Sequence, residues 1–222
     1  MLRSLHYVFP VASTTDVCLQ QTLTGTGNLS LNGNLANSIN SQVSFLEKGY
    51  SRQISLTSAN DLSGREFIVT GFQNGVALTE YITGPNATTV YSTKIYDTIT
   101  SIIVDGAVIA VSVGTGHAGF FPLIAINLNR DVINYVLSTA ALTAASIHTT
   151  IYNTVSNISF NSLTFLDQVT NSQNLFEIKA SSADEQFILP VADRALCRSI
   201  LIHIDGTAGE ITNSIEMNFI QT

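Results

Sequence analysis

The chain has 222 residues, 45% of them hydrophobic and only 11% charged, with a formal net charge of −7. That length allows one large or two small domains with a proper buried core, and the hydrophobic fraction excludes a disordered chain. The nine lysines and arginines are scattered singly, so no cluster can neutralise several phosphates, and neither nucleic acid nor an anionic membrane surface is an expected partner.

The first 24 residues begin apolar, with Leu2, Leu5, Tyr7, Val8 and Phe9, and continue as polar, helix-poor chain. They read as an extended N-terminal arm or a first strand. Pro10 interrupts the apolar run and no signal-peptide cleavage site follows it. Cys18 and Cys197 are far apart and belong to no CxxC pair. They read as two buried free thiols, a usage that fits assembly in a reducing cytoplasm.

Turn chemistry is the strongest local signal. Asn32-Gly33, Asn74-Gly75, Asp105-Gly106 and Asp205-Gly206 are dipeptides that tolerate positive φ and favour two-residue hairpins. The last three sit between strand-forming runs: 66–70 and 77–82, 100–104 and 107–113, 199–204 and 210–220. In 52–58 the apolar residues Ile54 and Leu56 are two apart, and in 214–220 Ile215, Met217 and Phe219 repeat the pattern. That is the period of half-buried strands. Gly84-Pro85-Asn86 reads as a loop. Residues 131–147 are rich in β-branched side chains, which favours two strands over an Ala-rich helix. The richest apolar stretch, 99–113, is broken by Asp105-Gly106 and falls short of a membrane span.

These elements predict an all-β fold, an antiparallel β-sandwich or barrel. Residues 25–128 form its core module. Residues 129–222 either complete the sandwich or form a second unit, an option raised by the echo between TSIIVDGA at 100–107 and ILIHIDGTAG at 200–209.

No pattern predicts catalysis. Gly114-Thr115-Gly116-His117-Ala118-Gly119 matches a dinucleotide fingerprint, which works only where a helix begins. Here Phe120-Phe121-Pro122 and another apolar run follow, so a Gly-rich loop is expected instead. The four histidines form no HxH or HxxxH pair. His203 and Asp205 lie two apart, on one strand face, and form at most a two-ligand metal corner; a histidine beside a hairpin turn is the commoner arrangement. Asp61, Glu66, Glu80, Asp97, Asp105, Asp184 and Glu185 imply no shared cleft by their spacing. No catalytic residue, cofactor or metal is expected.

Residues 50–116 carry a resemblance. The run includes Ser55-Leu56-Thr57-Ser58-Ala59-Asn60-Asp61-Leu62-Ser63-Gly64, then Phe67-Ile68-Val69-Thr70-Gly71, Asn74-Gly75, Leu78-Thr79-Glu80, Gly84-Pro85-Asn86, Thr98-Ile99-Thr100-Ser101-Ile102 and Val113-Gly114-Thr115-Gly116. It resembles a module of tailed-bacteriophage structural proteins, of the head decoration (cement) type. The resemblance covers about a third of the chain well and leaves 128–222 outside. It implies a β-sandwich or jelly roll, often trimeric, that binds the major capsid protein on the surface of the virion after assembly in the host cytoplasm. On that reading the arm docks on a capsid protein or a sister subunit through Leu2, Leu5, Tyr7, Val8 and Phe9. The alternative is a tail or fibre-associated β module that binds a host glycan or another virion protein. Its seven tyrosines serve that reading, whereas a sugar platform of tryptophan is missing.

Overall fold

A computed structural model describes residues 2–37, 39–73 and 75–120, and beyond them the strands named below; side chains are described for 10–37, 39–73 and 75–120. The described chain is all β, an antiparallel sandwich without an α-helix. Its contacts define two compact units, one built on Ala12–Gly116 and the other holding Met1–Val11 and the strands that follow His117. The second of these units therefore draws its strands from both ends of the chain.

In chain order the strands are β1 (Leu2–Phe9), β2 (Cys18–Leu23), β3 (Gly27–Asn28), β4 (Ala36–Asn37), β5 (Gln42–Ser44), β6 (Ser51–Ser58), β7 (Glu66–Gln73), β8 (Val76–Thr83), β9 (Thr89–Tyr96), β10 (Thr98–Val104) and β11 (Val108–Phe120). Then follow β12 (Ile124–Ala125), β13 (Val132–Ala141), β14 (Ile147–Thr154), β15 (Leu175–Ser181), β16 (Gln186–Ile188), β17 (Ser199–Gly206) and β18 (Asn213–Gln221).

The Ala12–Gly116 unit has one sheet in the order β4-β5-β10-β7-β8, with β3 also on β10. Its second sheet places β6 between β11 and β9, with β2 on β11. The alternating residues Phe67, Val69, Leu78, Ile99, Ile102 and Val104 of the first sheet are buried, as are Ile54, Leu56, Val111 and Val113 of the second. Each such side chain contributes roughly 1.5–3 kcal/mol on burial. Strand β6 departs from the expected half-buried pattern. Ser51, Arg52, Ser55 and Ser58 are buried as well as Ile54 and Leu56: the small hydroxyls of Ser51 and Ser55 occupy its second face, while the hydrogen-bonded guanidinium of Arg52 and the hydroxyl of Ser58 flank Ile54 and Leu56 on the first.

In the other unit the order is β1-β18-β13-β16, and separately β15-β14-β17 with β12 on β17. The β1–β18–β13 register places Leu5, Met217 and Leu137 in one row, with Phe187 of β16 beside Leu137. Tyr7, Ile215 and Thr139 form the next row on that face. The opposite face carries His6, Glu216, Ser138 and Gln186 in one row. A slip of one residue would exchange the apolar and polar faces, so the alternation in 214–220 specifies this register. Residues 131–147 contribute β13 and the start of β14, strands as expected.

The turn dipeptides need correction. Among the described residues one of them joins paired strands: β7 and β8 are in register from Glu66↔Thr83 to Gln73↔Val76, with Gly75 at φ 74; Asn74 lies outside the described residues. Asp105-Gly106 is a crossing between sheets, since β10 pairs with β7 and β11 with β2. There the Arg65 guanidinium packs over Gly106 and its Nε donates to the Ala107 carbonyl at 3.1 Å. Asn32-Gly33 docks on the backbone of Asp16 and Val17, Gly33 donating to the Val17 carbonyl at 3.0 Å. Asp205-Gly206 lies inside β17, paired with His148 and Ile147 of β14. A hairpin and a crossing between layers both need a tight reversal, so the dipeptide reports a change of direction and not the partner strand.

Candidate binding surface and the buried polar network

The expected arm is paired with its own chain. Leu2–Phe9 runs antiparallel to β18 from Leu2↔Ile220 to Phe9↔Asn213. Cys18–Leu23 pairs with β11. Because faces alternate along a strand, Leu5, Tyr7 and Phe9 share one face of β1, while Leu2 and Val8 lie on the other. β1 is the terminal strand of its four-stranded sheet among the described residues.

The glycine-rich segment differs from the expected loop. Gly114, Gly116 and Gly119 lie within strand β11. A side chain at Gly114 would collide with the backbone of Ser13, and one at Gly116 with the side chain of Gln53. The 13–17 segment lies along β11: Thr115 N donates to the Ser13 carbonyl at 2.7 Å, Ser13 N to Thr115 Oγ1 at 3.0 Å, and Val17 N to the Val113 carbonyl at 3.0 Å. These glycines admit a neighbouring chain, and no helix begins there to receive a pyrophosphate.

Of the carboxylates, Glu80 and Asp97 are buried and serve structure. Glu80, on β8, reaches β9 in the opposite sheet. Its Oε1 accepts from Thr93 N at 2.6 Å and Thr93 Oγ1 at 2.8 Å, and its Oε2 from Tyr96 OH at 2.9 Å and Lys94 N at 3.3 Å. The register explains the need. Between Gln53↔Ile95 and Ser55↔Tyr91 the β9 strand bulges outward, with Ser92, Thr93 and Lys94 opposite Ile54. A bulge leaves amides without ladder partners. Glu80 satisfies two of them, while Ser92 Oγ accepts from Ile54 N at 2.9 Å and Gln53 Nε2 donates to the Ser92 carbonyl at 2.7 Å. Burial and the facing Glu80 carboxylate push the Tyr96 phenol well above its ordinary range. Asp97 Oδ1 accepts from Ser51 Oγ.

Arg52 is 1% exposed. Its Nε donates to the Gly116 carbonyl at 3.0 Å, and its guanidinium lies 5.8 Å from the centroid of the Tyr50 ring, which stacks on Phe45. Burial pulls the guanidinium down to about 10, against the opposing effects of Tyr50 and Asp16. Sequence reading missed Arg52 and Glu80 as interior groups. The signal was present for Glu80, which alternates with Leu78 and Ile82 on β8, both buried. Cys18 is a buried free thiol pushed up to about 12 by burial; Cys197, Asp184 and Glu185 lie outside the described residues.

The outward face of β8-β7-β10 is the most distinctive surface. Its register sets three rows across the strands: Tyr81, Ile68 and Ile103; Thr79, Thr70 and Ser101; Ala77, Phe72 and Thr98. Tyr81 is 64% exposed and Phe72 41%. These rows carry no charge, and the next residue along, Glu66, marks their rim. Among the described residues no group of three or more His, Cys, Asp and Glu is placed to hold a metal ion, and no helix is long and apolar enough to cross a membrane. No family model matches the chain, and no curated protein or solved structure matches it.

Proposed function

We propose that the chain is a structural protein of a virus particle, a capsid decoration (cement) protein that binds the major capsid protein as a homotrimer and stabilises the head. The observation that carries this reading is the uncharged outward face of β8-β7-β10, with Tyr81, Phe72, Ile68 and Ile103 set in rows. A sheet face left to water ordinarily carries charged side chains, whereas the centre of a protein interface is depleted of them and enriched in aromatic residues. The face lies wholly within 50–116, the segment that resembles phage structural proteins, and that segment spans the six consecutive strands β6 to β11. A protein repeated many times over a shell gains its effect from modest contacts summed over copies.

A second contact is the edge of β1 that bears no partner strand among the described residues, the strand of Leu2, Leu5, Tyr7, Val8 and Phe9. A terminal strand offers its backbone to a neighbour's strand.

The test is co-expression with the major capsid protein of the same genome, followed by sedimentation of the assembled shells. The chain is expected in the shell fraction at a fixed ratio, and Tyr81→Asp is expected to remove it while leaving the circular dichroism of the free protein unchanged. A chain that stays in the supernatant and instead binds a sugar on a glycan array overturns the proposal in favour of a tail or fibre module.

A further inference from the structure

Among the described residues β1 is paired on one side only, running antiparallel to β18 from Leu2↔Ile220 to Phe9↔Asn213 without a shift of register. The other strands that end the described sheets are each blunted. β4 is two residues long and β16 three. Bulges interrupt β9 between Tyr91 and Ile95, and β15 between Glu177 and Lys179. On β8 the Thr79 carbonyl is occupied by Lys94, whose Nζ donates to it at 2.6 Å. Short length, bulges and lysines are the devices that keep a sheet edge from pairing with another chain. β1 has none of them: its eight residues contain no lysine and no proline, and its register is regular throughout. A long, regular edge is a template for a further strand.

The residues of β1 specify which strand fits. Two identical strands paired antiparallel are related by a two-fold axis perpendicular to the sheet, and directly opposed residues share a face. Odd-numbered residues therefore oppose odd ones, and even oppose even. With the axis at Leu5, Leu5 opposes its own copy, Leu2 opposes Val8, Ser4 opposes His6 and Arg3 opposes Tyr7. Apolar positions then meet apolar ones, Ser4 meets His6, and no charge opposes a like charge. With the axis at His6, Ser4 would oppose Val8 and a histidine would oppose itself. The rest of the sheet favours the same register. Leu5 lies in one row with Met217, Leu137 and Phe187. Across an axis at Leu5 that row meets its own copy, so one apolar row runs through both four-stranded sheets.

From this edge we infer that β1 pairs antiparallel with β1 of a second copy of this chain, about a two-fold axis at Leu5, and joins two four-stranded sheets into one. The inference goes beyond the virion reading and does not need it, since the pairing belongs to the isolated chain. On a shell of trimers the same pairing links neighbouring trimers, because copies within one trimer are related by a three-fold axis and not by a two-fold.

The experiment is disulfide trapping and sedimentation equilibrium of the full chain. Leu5→Cys is expected to give a disulfide-linked dimer on mild oxidation, because opposed residues of an antiparallel pair have Cα atoms about 4.5–5.5 Å apart, within the span of a disulfide. Val8→Cys, whose counterpart is Leu2, is expected to give at least tenfold less. Peptide mass spectrometry assigns the linkage to the substituted position and separates it from Cys18 and Cys197. Leu5→Lys sets two like charges opposite each other and is expected to weaken self-association at least tenfold. Should Leu5→Lys fail to fold, the comparison of the two cysteine variants decides alone. No linkage at Leu5→Cys, linkage as ready at Val8→Cys, or self-association that folded Leu5→Lys leaves unchanged overturns the inference.

Discussion

The Tyr96 hydroxyl on β9 donates to the Glu80 carboxylate on β8 at 2.9 Å, and both residues are buried. One carboxylate thus joins the two sheets of the sandwich and satisfies the amides that the β9 bulge frees. A buried carboxylate is costly unless its lone pairs are filled, and four donors fill those of Glu80.

Glu80→Ala should destabilise the Ala12–Gly116 unit by about 3–5 kcal/mol, since it strands buried donors. Tyr96→Phe should cost about 1–2 kcal/mol, as it removes one charge-assisted bond and keeps the ring. Guanidinium denaturation of both variants and of the double variant gives the coupling between them. The double variant should lose less than the sum of the single losses. Strict additivity would mean that the bond does not couple the sheets.

The same pair sets a response to alkali. The Tyr96 phenol is raised above its unfolded value of about 10. The folded state therefore holds that proton more tightly, and the contribution is complete below pH ~10 and is lost as pH rises through the folded value. Denaturation midpoints measured from pH 8 to 11 should fall less steeply for Tyr96→Phe than for the wild type.

Cys18 is fully buried, and its thiol is pushed up to about 12. The thiolate is the reactive form. In a Cys197→Ser background, Ellman's reagent should therefore fail to label the folded chain at pH 8 and should label one thiol per chain in denaturant. Prompt labelling of the native protein would contradict the burial of β2 against β11.

Gly114 and Gly116 offer a graded test of close approach. A methyl at Gly114 meets the backbone of Ser13, which cannot move without breaking its bonds to Thr115, whereas a methyl at Gly116 meets the end of the Gln53 side chain. Gly114→Ala should cost about 2–4 kcal/mol by overpacking, and Gly116→Ala about 1 kcal/mol or less. Thermal melts of the two variants check the order.

These contrasts show how far the residues speak locally. The period of two in 52–58 and 214–220 announces strands, and Asn74-Gly75 announces a true hairpin. The glycine pattern at 114–119 was legible as lacking the helix a dinucleotide fingerprint needs, but not as a strand, because the chain that packs over Gly114 comes from residues 13–17, about a hundred positions away. Asp105-Gly106 looked like a second hairpin for the same reason: the choice between pairing β10 with β11 and sending them to opposite sheets is made by distant partners such as Ile68 and Val69, which pair with Ile103 and Ile102. Long-range pairing is likewise what brings His148 opposite Asp205. The uncharged face was hidden in the alternation of β8, where Tyr81 reads as an ordinary outward residue until Ile68 and Ile103 are set beside it.

The measurement that bears most directly on the function is an electron-microscopy reconstruction of capsid shells assembled in the presence of this chain. The account predicts density for the sandwich at symmetry-related positions on the outer surface, in threes, with the Tyr81–Ile68–Ile103 row against the capsid protein. Shells bare of the chain, or a sandwich bound with that row turned to solvent, would contradict it.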